Sequence, residues 1–197
     1  MKRFISASLL AISLSQSANA ALPEGATAPN FTAQASLAGK AFDYSLQTAL
    51  KQGPVVVYFY PSAYTGGCNI QAHEFSANQQ KFAAAGASII GVSLDSLNRL
   101  NDFSADADYC AGKVAVASDA DGKITQAYQL NVREAVAGKK DTRGIEINHG
   151  FAERTTFIVT PDGKIAAVLS GLPPAINVAK SLEVVQRLHD ANKSDNW

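Results

Sequence analysis

The chain has 197 residues with 17 basic and 17 acidic side chains, so its formal net charge at neutral pH is zero. Its basic residues form no cluster of the kind that binds phosphates, and we therefore exclude a nucleic-acid partner. The length is sufficient for one domain with a substantial hydrophobic core. The two cysteines, Cys68 and Cys110, would ordinarily be interpreted as a structural disulfide if the protein is exported.

The first residues have the pattern of a secretory signal peptide. A positive start precedes an apolar run from Phe4 to Leu14, and Ala18-Asn19-Ala20 resembles a cleavage site. The apolar run is too short to span a bilayer as a stable helix. We therefore predict a signal peptide at residues 1–20 and a mature domain at 21–197 that is periplasmic or secreted, with no membrane attachment after cleavage.

Strands and helices alternate along the rest of the chain. In chain order, the pattern predicts a strand at Ala41–Ser45, a small helix, a strand at Val55–Tyr60, a helix at Gly66–Ala85, a strand at Ser88–Leu94, a helix from Ser96 to about Asp108, a strand at Val114–Ala117, a helix at Ile124–Leu130, a polar inserted loop over residues 131–150, a hairpin of strands at Thr155–Thr160 and Lys164–Ser170, and a helix at Ala175–Asn192. This order predicts an α/β fold of the thioredoxin-like type, a three-layer arrangement in which a central mixed β-sheet is flanked by helices.

The most informative segment joins the strand at Val55–Tyr60 to the following helix. It contains the pattern P-x-x-x-T-x-x-C, formed by Pro61, Thr65 and Cys68. Cys68 falls in the first turn of the predicted helix, where unpaired backbone N–H groups and the helix dipole stabilise a thiolate. The preceding Gly66-Gly67 pair is unfavourable within a helix by about 1 kcal/mol per glycine relative to alanine, which indicates a close approach of another group to the backbone.

These motifs, together with Arg154 in the stretch Glu153-Arg154-Thr-Thr-Phe-Ile-Val, resemble those of the peroxiredoxin family. The layout of Leu22 to His189 is most similar to the Q-type, or bacterioferritin-comigratory, peroxiredoxins of the AhpC/TSA group. The resemblance implies an exported thiol-dependent peroxidase. Its cysteine thiolate attacks hydrogen peroxide or an organic hydroperoxide, becomes a sulfenic acid, and is recycled through a disulfide by a thiol reductant such as a thioredoxin-like protein. The resemblance leaves open a monomer or a homodimer.

The resemblance assigns a role to each motif residue, and each residue also has a plain structural interpretation. Cys68 would be the nucleophile, Thr65 would hydrogen-bond the peroxide, and Arg154 would stabilise the thiolate and the negative charge that develops on the departing oxygen. Pro61 would shield the pocket. Alternatively, Cys68 is an inert core cysteine, Thr65 only caps the helix, Pro61 only ends the strand and Arg154 is an ordinary surface residue. Tyr64, beside Thr65, and Phe157, on the Arg154 strand, are candidates to form a wall of the pocket, but core packing is the expected role of both.

Many Q-type members carry a resolving cysteine five residues after the nucleophile, a position that His73 occupies here. Cys110 is therefore the resolving candidate. A helix of a dozen residues is about 18 Å long, so we expect Cys110, beyond the second helix, to lie well away from Cys68, whereas bridged cysteines need Cα atoms within roughly 7 Å. A disulfide between them requires local unwinding, or the resolving thiol comes from another molecule. No cofactor is expected, and the histidines lack the spacing of metal ligands.

A second interpretation is a non-enzymatic thioredoxin-fold module that senses redox state or binds thiols through mixed disulfides formed by Cys68. A thiol–disulfide oxidoreductase is disfavoured, because neither Thr65 nor Gln71 supplies the second cysteine of a Cys-x-x-Cys motif. Consumption of peroxide separates the two interpretations, since the module would not turn over.

Overall fold

The computed structural model describes residues 21–194, so the predicted signal peptide and its cleavage site lie outside the described residues. In chain order the elements are β1 Thr32–Leu37, β2 Lys40–Ser45, α1 Leu46–Leu50, β3 Val55–Phe59, α2 Gly66–Ala84, β4 Ser88–Ser93, α3 Leu97–Ala105, β5 Ala115–Ser118, α4 Lys123–Ala127, β6 Val132–Arg133, β7 Phe151–Ala152, β8 Thr155–Val159, β9 Ile165–Ser170 and α5 Pro174–Ser194.

A seven-stranded mixed sheet forms the centre of the domain, in the order β2-β1-β5-β4-β3-β8-β9. Strands β3, β4 and β5 are parallel, and the outer pairs are antiparallel. Helices cover both faces, which confirms the predicted thioredoxin-like three-layer fold. Strand β1 was not predicted, because its T-A-Q-A-S-L sequence is poor in β-branched and aromatic residues. Its conformation comes from pairing with β2 and β5 on either side.

Strand β3 is buried on both faces, as its continuous apolar sequence predicts. Val56 and Tyr58 face a core shared with α2, α3 and α5, whereas Val57 and Phe59 face a second core closed by α1 and the segment before β1. The parallel strands therefore lie rigidly between two helix layers. Their carboxyl ends, from which the Pro61–Cys68 segment emerges, form a fixed platform.

Several predicted boundaries shift by one to three residues, and α4 ends at Ala127 rather than at Leu130. Helix α3 ends at Ala105 rather than near residue 108, because Asp106 turns to an extended conformation and Tyr109 and Ala111 donate their N–H groups back to its carbonyl. The predicted loop 131–150 also contains β6, which pairs with β7 just beyond the loop. Within residues 21–194, no helix combines the length and apolar character needed to cross a bilayer.

Candidate active site

The segment between β3 and α2 is fastened to the end of β4 by a buried carboxylate. Asp95 accepts a hydrogen bond from the Ala63 N–H at 2.7 Å and another from the Ser62 hydroxyl at 2.9 Å. Tyr64 has a φ of 59°, a left-handed conformation that is costly for a residue with a side chain. The backbone of this segment is therefore held in one shape by tertiary contacts, as is common where strain is stored at a functional site.

Helix α2 begins at Gly66, with Thr65 at its N-cap position, as predicted. The Thr65 side chain does not cap the helix, however, because its hydroxyl donates to the Ser62 carbonyl at 2.8 Å. A hydroxyl has one proton and two acceptor lone pairs. The Thr65 oxygen therefore has acceptor capacity for a peroxide O–H at the mouth of the site.

Cys68 lies in the first turn of α2 and is only 2% exposed. The Arg154 guanidinium donates through Nη2 to Cys68 Sγ at 3.3 Å and through Nη1 to Gln71 Oε1. Gln71 is fully buried and donates in turn to Asn177 Oδ1 on α5 at 3.0 Å. The structure thus brings Cys68 and Arg154 together across 86 sequence positions, with the arginine held by a buried amide.

Sequence reasoning missed Gln71 and Asn177. Gln71 lies three residues after Cys68, a spacing that places both side chains on one face of a helix, and this signal could have identified it. Asn177 accepts from Gln71 and from the Thr156 hydroxyl at 2.7 Å, and donates to the Leu169 carbonyl at 3.1 Å. Nothing in the local sequence of α5 indicates this role.

The two glycines before Cys68 differ in their surroundings. A Cβ atom at Gly67 would lie 3.1 Å from Arg154 Nη2 and 3.4 Å from a ring carbon of Pro174. The close approach predicted from the glycine pair is therefore that of the Arg154 guanidinium. A Cβ at Gly66 would have no atom within 4 Å outside its chain neighbours and its own helix backbone, so a close approach at Gly66 stays a prediction.

Pro61 lies between two shallow grooves at the entrance to the site. Thr65, Val136 and Phe151 line the first groove together with Arg133, Glu134 and Lys139. The second groove runs past Asn131, Ala152, Glu153 and Arg154, and Arg133 also belongs to it. The loop 131–150 thus provides one wall of the approach to the motif residues.

Tyr64 and Phe157 behave mainly as core residues, as expected. Tyr64 is 2% exposed and packs edge-on against Phe103 and Tyr109, while the Arg143 guanidinium lies 3.4 Å from the centre of its ring. Phe157 belongs to the core on the opposite face of the sheet from Cys68. Phe157 therefore cannot form a wall of this site.

Cys68 and Cys110 are both free thiols in the folded protein. Cys110 lies in the turn after α3, is completely buried and belongs to the same apolar cluster as Cys68. Burial raises the pKa of the Cys110 thiol well above its usual range, and the nearby charge of Asp106 raises it further. Cys110 is therefore a neutral, enclosed thiol in this state and would need local opening before it could react.

His73, at the position where many Q-type peroxiredoxins carry a resolving cysteine, contacts the segment that carries Cys110. Its Nδ1 lies 3.0 Å from the Asp108 carbonyl oxygen, in the turn just before Cys110. No group of three or more histidine, cysteine or carboxylate side chains suited to a metal ion occurs within residues 21–194.

Comparison with known proteins agrees with this geometry. Residues 25–168 match the AhpC/TSA family. A putative peroxiredoxin of Mycobacterium tuberculosis is 34% identical over 125 residues, covering 64% of this chain and 72% of that protein. The chain therefore belongs to the AhpC/TSA family.

Two solved structures place it more finely. The M. tuberculosis peroxidoxin BcpB superimposes with a TM-score of 0.69 at 26% identity, covering 83% of this chain and 96% of that one. The Xanthomonas campestris bacterioferritin comigratory protein, whose structures were determined to explain its alkyl peroxide reduction, gives 0.62 at 26% identity, covering 79% and 91%. The chain matches the Q-type, bacterioferritin-comigratory peroxiredoxins, and its enzyme class is thiol peroxidase, as predicted.

Proposed function

We propose that this protein is an exported peroxidase in which the Cys68 thiolate attacks the terminal oxygen of a hydroperoxide. The sulfur–oxygen bond forms as the O–O bond breaks, giving Cys68 sulfenic acid and, after protonation of the departing oxygen, water or an alcohol. The observation that carries the proposal is the 3.3 Å contact from Arg154 Nη2 to Cys68 Sγ, next to the N-terminus of α2. A non-enzymatic module has no need for an arginine locked onto its thiol by a buried glutamine.

The surrounding groups divide the work of the reaction. Arg154 and the first amides of α2 stabilise negative charge on the sulfur and then on the oxygen that leaves. Thr65 positions the peroxide through its hydroxyl, and Pro61 limits access of water to the sulfur. Pro61 and Thr65 lie on the loop between β3 and α2, the amides lie in the first turn of α2, and Arg154 immediately precedes β8, so the sheet fixes their spacing.

Both small and larger hydroperoxides fit the proposal. The grooves on either side of Pro61 are open and partly apolar, and Val136 and Phe151 line one of them. The X. campestris relative reduces alkyl peroxides. We therefore propose hydrogen peroxide and organic hydroperoxides as substrates, in the periplasm or outside the cell.

We propose that Cys110 resolves the sulfenic acid of Cys68. Its thiol sulfur would displace hydroxide from the sulfenic sulfur, forming a disulfide and releasing water, after which two electrons from a thiol reductant restore both thiols. The complete burial of Cys110 supports a requirement for local unwinding of the turn after α3 and of the first turn of α2. Resolution by a thiol of another molecule is the competing route.

Peroxide consumption by residues 21–197, supplied with dithiothreitol, tests the proposal. The Cys68→Ser variant should consume no peroxide above the background of the reductant, and a dimedone-type reagent should label Cys68 after one equivalent of peroxide. Cys110→Ser is the matched control, because it also removes one thiol but should keep the labelling of Cys68. Equal, slow labelling of both cysteines in the wild-type protein would contradict the proposal.

A further inference from the structure

His149 bridges the two segments that form the active site. Its side chain is 16% exposed and lies at the end of the loop 131–150. Its Nε2 is 2.8 Å from Asp95 Oδ1, and its Nδ1 is 2.7 Å from the Gly150 carbonyl oxygen. On its first side, through Asp95, the ring is linked to the loop that leads to Cys68. On its second side it is bonded to Gly150, which lies shortly before Arg154 in the chain.

The first side of the bridge holds the loop that leads into α2 and Cys68, here called the Cys68 loop. Asp95 is fully buried and binds that loop through the N–H of Ala63 and the hydroxyl of Ser62, while the Ser93 hydroxyl donates to it at 2.7 Å. So many donors converge on the carboxyl group only if it is ionised.

The second side of the bridge, at Gly150, holds the segment that leads to Arg154. Gly150 is followed directly by β7, which pairs with β6, and then by Glu153 and Arg154. Gly150 has no spare room, because a Cβ there would lie 2.8 Å from Val132 Cγ1 and 2.9 Å from the Arg133 carbonyl oxygen. Gly150 is therefore closely packed against β6, and its backbone leads through the two residues of β7 and Glu153 to Arg154.

The chemistry of the two contacts determines the charge of the ring. A backbone carbonyl and an ionised carboxylate are both acceptors, so each ring nitrogen must donate a proton to make its bond. Neutral imidazole carries one N–H only, and would turn the other nitrogen's lone pair towards an oxygen. Only the imidazolium form makes both bonds at once.

We propose that His149 is a positioning residue which, as an imidazolium ion, links the Cys68 loop to the Arg154 segment and keeps Arg154 aligned on the Cys68 sulfur. The proposal rests on the peroxidase function proposed above. His149 reaches the site through Asp95, Ser62 and Gly150, and its ring also lies against Phe151, with ring centroids 6.1 Å apart. Its effect is therefore expected on the alignment of the reacting groups.

The charged groups around the ring define the pH at which the link opens. Asp95 faces it directly, and Arg99 of α3 lies 2.8 Å from Asp95 and is itself paired with Asp141 of the inserted loop at 2.8 Å, with Arg143 beyond. Burial by itself would lower the pKa of His149, and Arg99 acts in the same direction. The hydrogen bond and the charge of Asp95, with the Gly150 carbonyl, outweigh them and raise the pKa above its ordinary value.

The sign of the pH dependence follows. Because the folded-state pKa of His149 is raised, the link is complete at low pH and is lost as the pH rises through that pKa. The thiolate fraction of a cysteine rises with pH and so increases the oxidation rate, which opposes the effect of losing the link. The two effects on the rate must therefore be separated. The quantity to measure is therefore the oxidation rate per thiolate.

The test uses residues 21–197 with Cys110→Ser, so that one thiol remains. The second-order rate constant for oxidation by hydrogen peroxide is measured from pH 5.5 to 9.5 and divided by the thiolate fraction, obtained from absorbance at 240 nm. We expect the corrected rate to fall by about tenfold across the titration of His149, since a small misalignment of reacting groups is enough for such a loss. His149→Gln should be slow throughout and without this fall, whereas His189→Gln, a change on α5, should follow the parent protein.

A corrected rate that is flat with pH, or a His149→Gln protein that follows the parent curve, would overturn the proposal. A nitrogen-15 NMR titration in a Cys68→Ser background provides a reading independent of peroxidase activity. It should show both nitrogens of His149 protonated on the acid side of the fall in the corrected rate, and a shift of the Arg154 Nε signal when His149 titrates. A ring that is already neutral on the acid side of that fall would refute the link, whereas a parent protein inert to peroxide at every pH would instead refute the proposed function.

Discussion

Replacement of Arg154 by alanine tests the central contact of the site. The guanidinium donates to Cys68 Sγ at 3.3 Å and to the buried Gln71 Oε1, so its two Nη atoms have separate tasks. One stabilises the charge on the reacting sulfur, and the other keeps the group in place. The substitution removes both without altering α2 or its amides.

The size of the effect can be worked out from these contacts. Loss of one well-placed donor to developing charge typically slows a reaction by about 100- to 1000-fold, or about 2.7–4 kcal/mol in the activation free energy. In addition, the Gln71 oxygen loses its partner inside the protein, which should lower the free energy of unfolding by about 1–3 kcal/mol. Arg154→Lys should be intermediate in rate, because one ammonium group cannot reproduce the two-point geometry.

The assay is the single-turnover rate of Cys68 oxidation by hydrogen peroxide at fixed pH, with circular dichroism to confirm that each variant is folded. Arg187→Ala, which removes an exposed arginine from α5, is the matched control and should retain the wild-type rate. If Gln71 acts by holding Arg154, then Gln71→Leu and Arg154→Ala should be strongly non-additive. Oxidation of the Arg154→Ala protein at the wild-type rate would exclude the arginine from catalysis.

Three further predictions follow from the same contacts. Thr65→Val should slow oxidation of Cys68 by about tenfold or more while the melting temperature changes little, and an unchanged rate would remove the hydroxyl from the mechanism. In the reduced folded protein, iodoacetamide should alkylate Cys68 but not Cys110, because Cys110 is buried and its pKa is raised. Cys110 should react only after denaturant is added, and equal alkylation of both thiols in the folded protein would contradict the burial of Cys110. Gly91→Ala should lower the free energy of unfolding by about 1–3 kcal/mol, since its Cβ would lie 2.6 Å from the hydroxyl of the enclosed Tyr58, and an unchanged denaturant midpoint would refute this packing.

The parts of the fold that could be predicted from sequence are those whose local pattern agrees with their tertiary role. Strand β3 is apolar because both of its faces are covered, Pro61 follows its end, and the Gly66-Gly67 pair opens α2. Strand β1 could not be predicted, because its small and polar residues have no strand preference of their own. Its partners β2 and β5 impose the conformation through backbone hydrogen bonds, which a one-dimensional pattern does not contain.

The same distinction applies within the site. Cys68 and Thr65 could be identified because the helix start that activates a thiol leaves a local signature, and Arg154 because its motif is known. The residues that hold them in place act across the chain: Asp95 binds a loop 32 and 33 positions upstream, and His149 reaches Asp95 over 54 positions. A buried carboxylate, an arginine and a histidine are unremarkable in sequence, and only their convergence makes them a unit. The local sequence around Cys68 thus indicates the chemistry of the nucleophile. The position of the Arg154 guanidinium relative to the Cys68 sulfur depends instead on contacts that exist only in the folded chain.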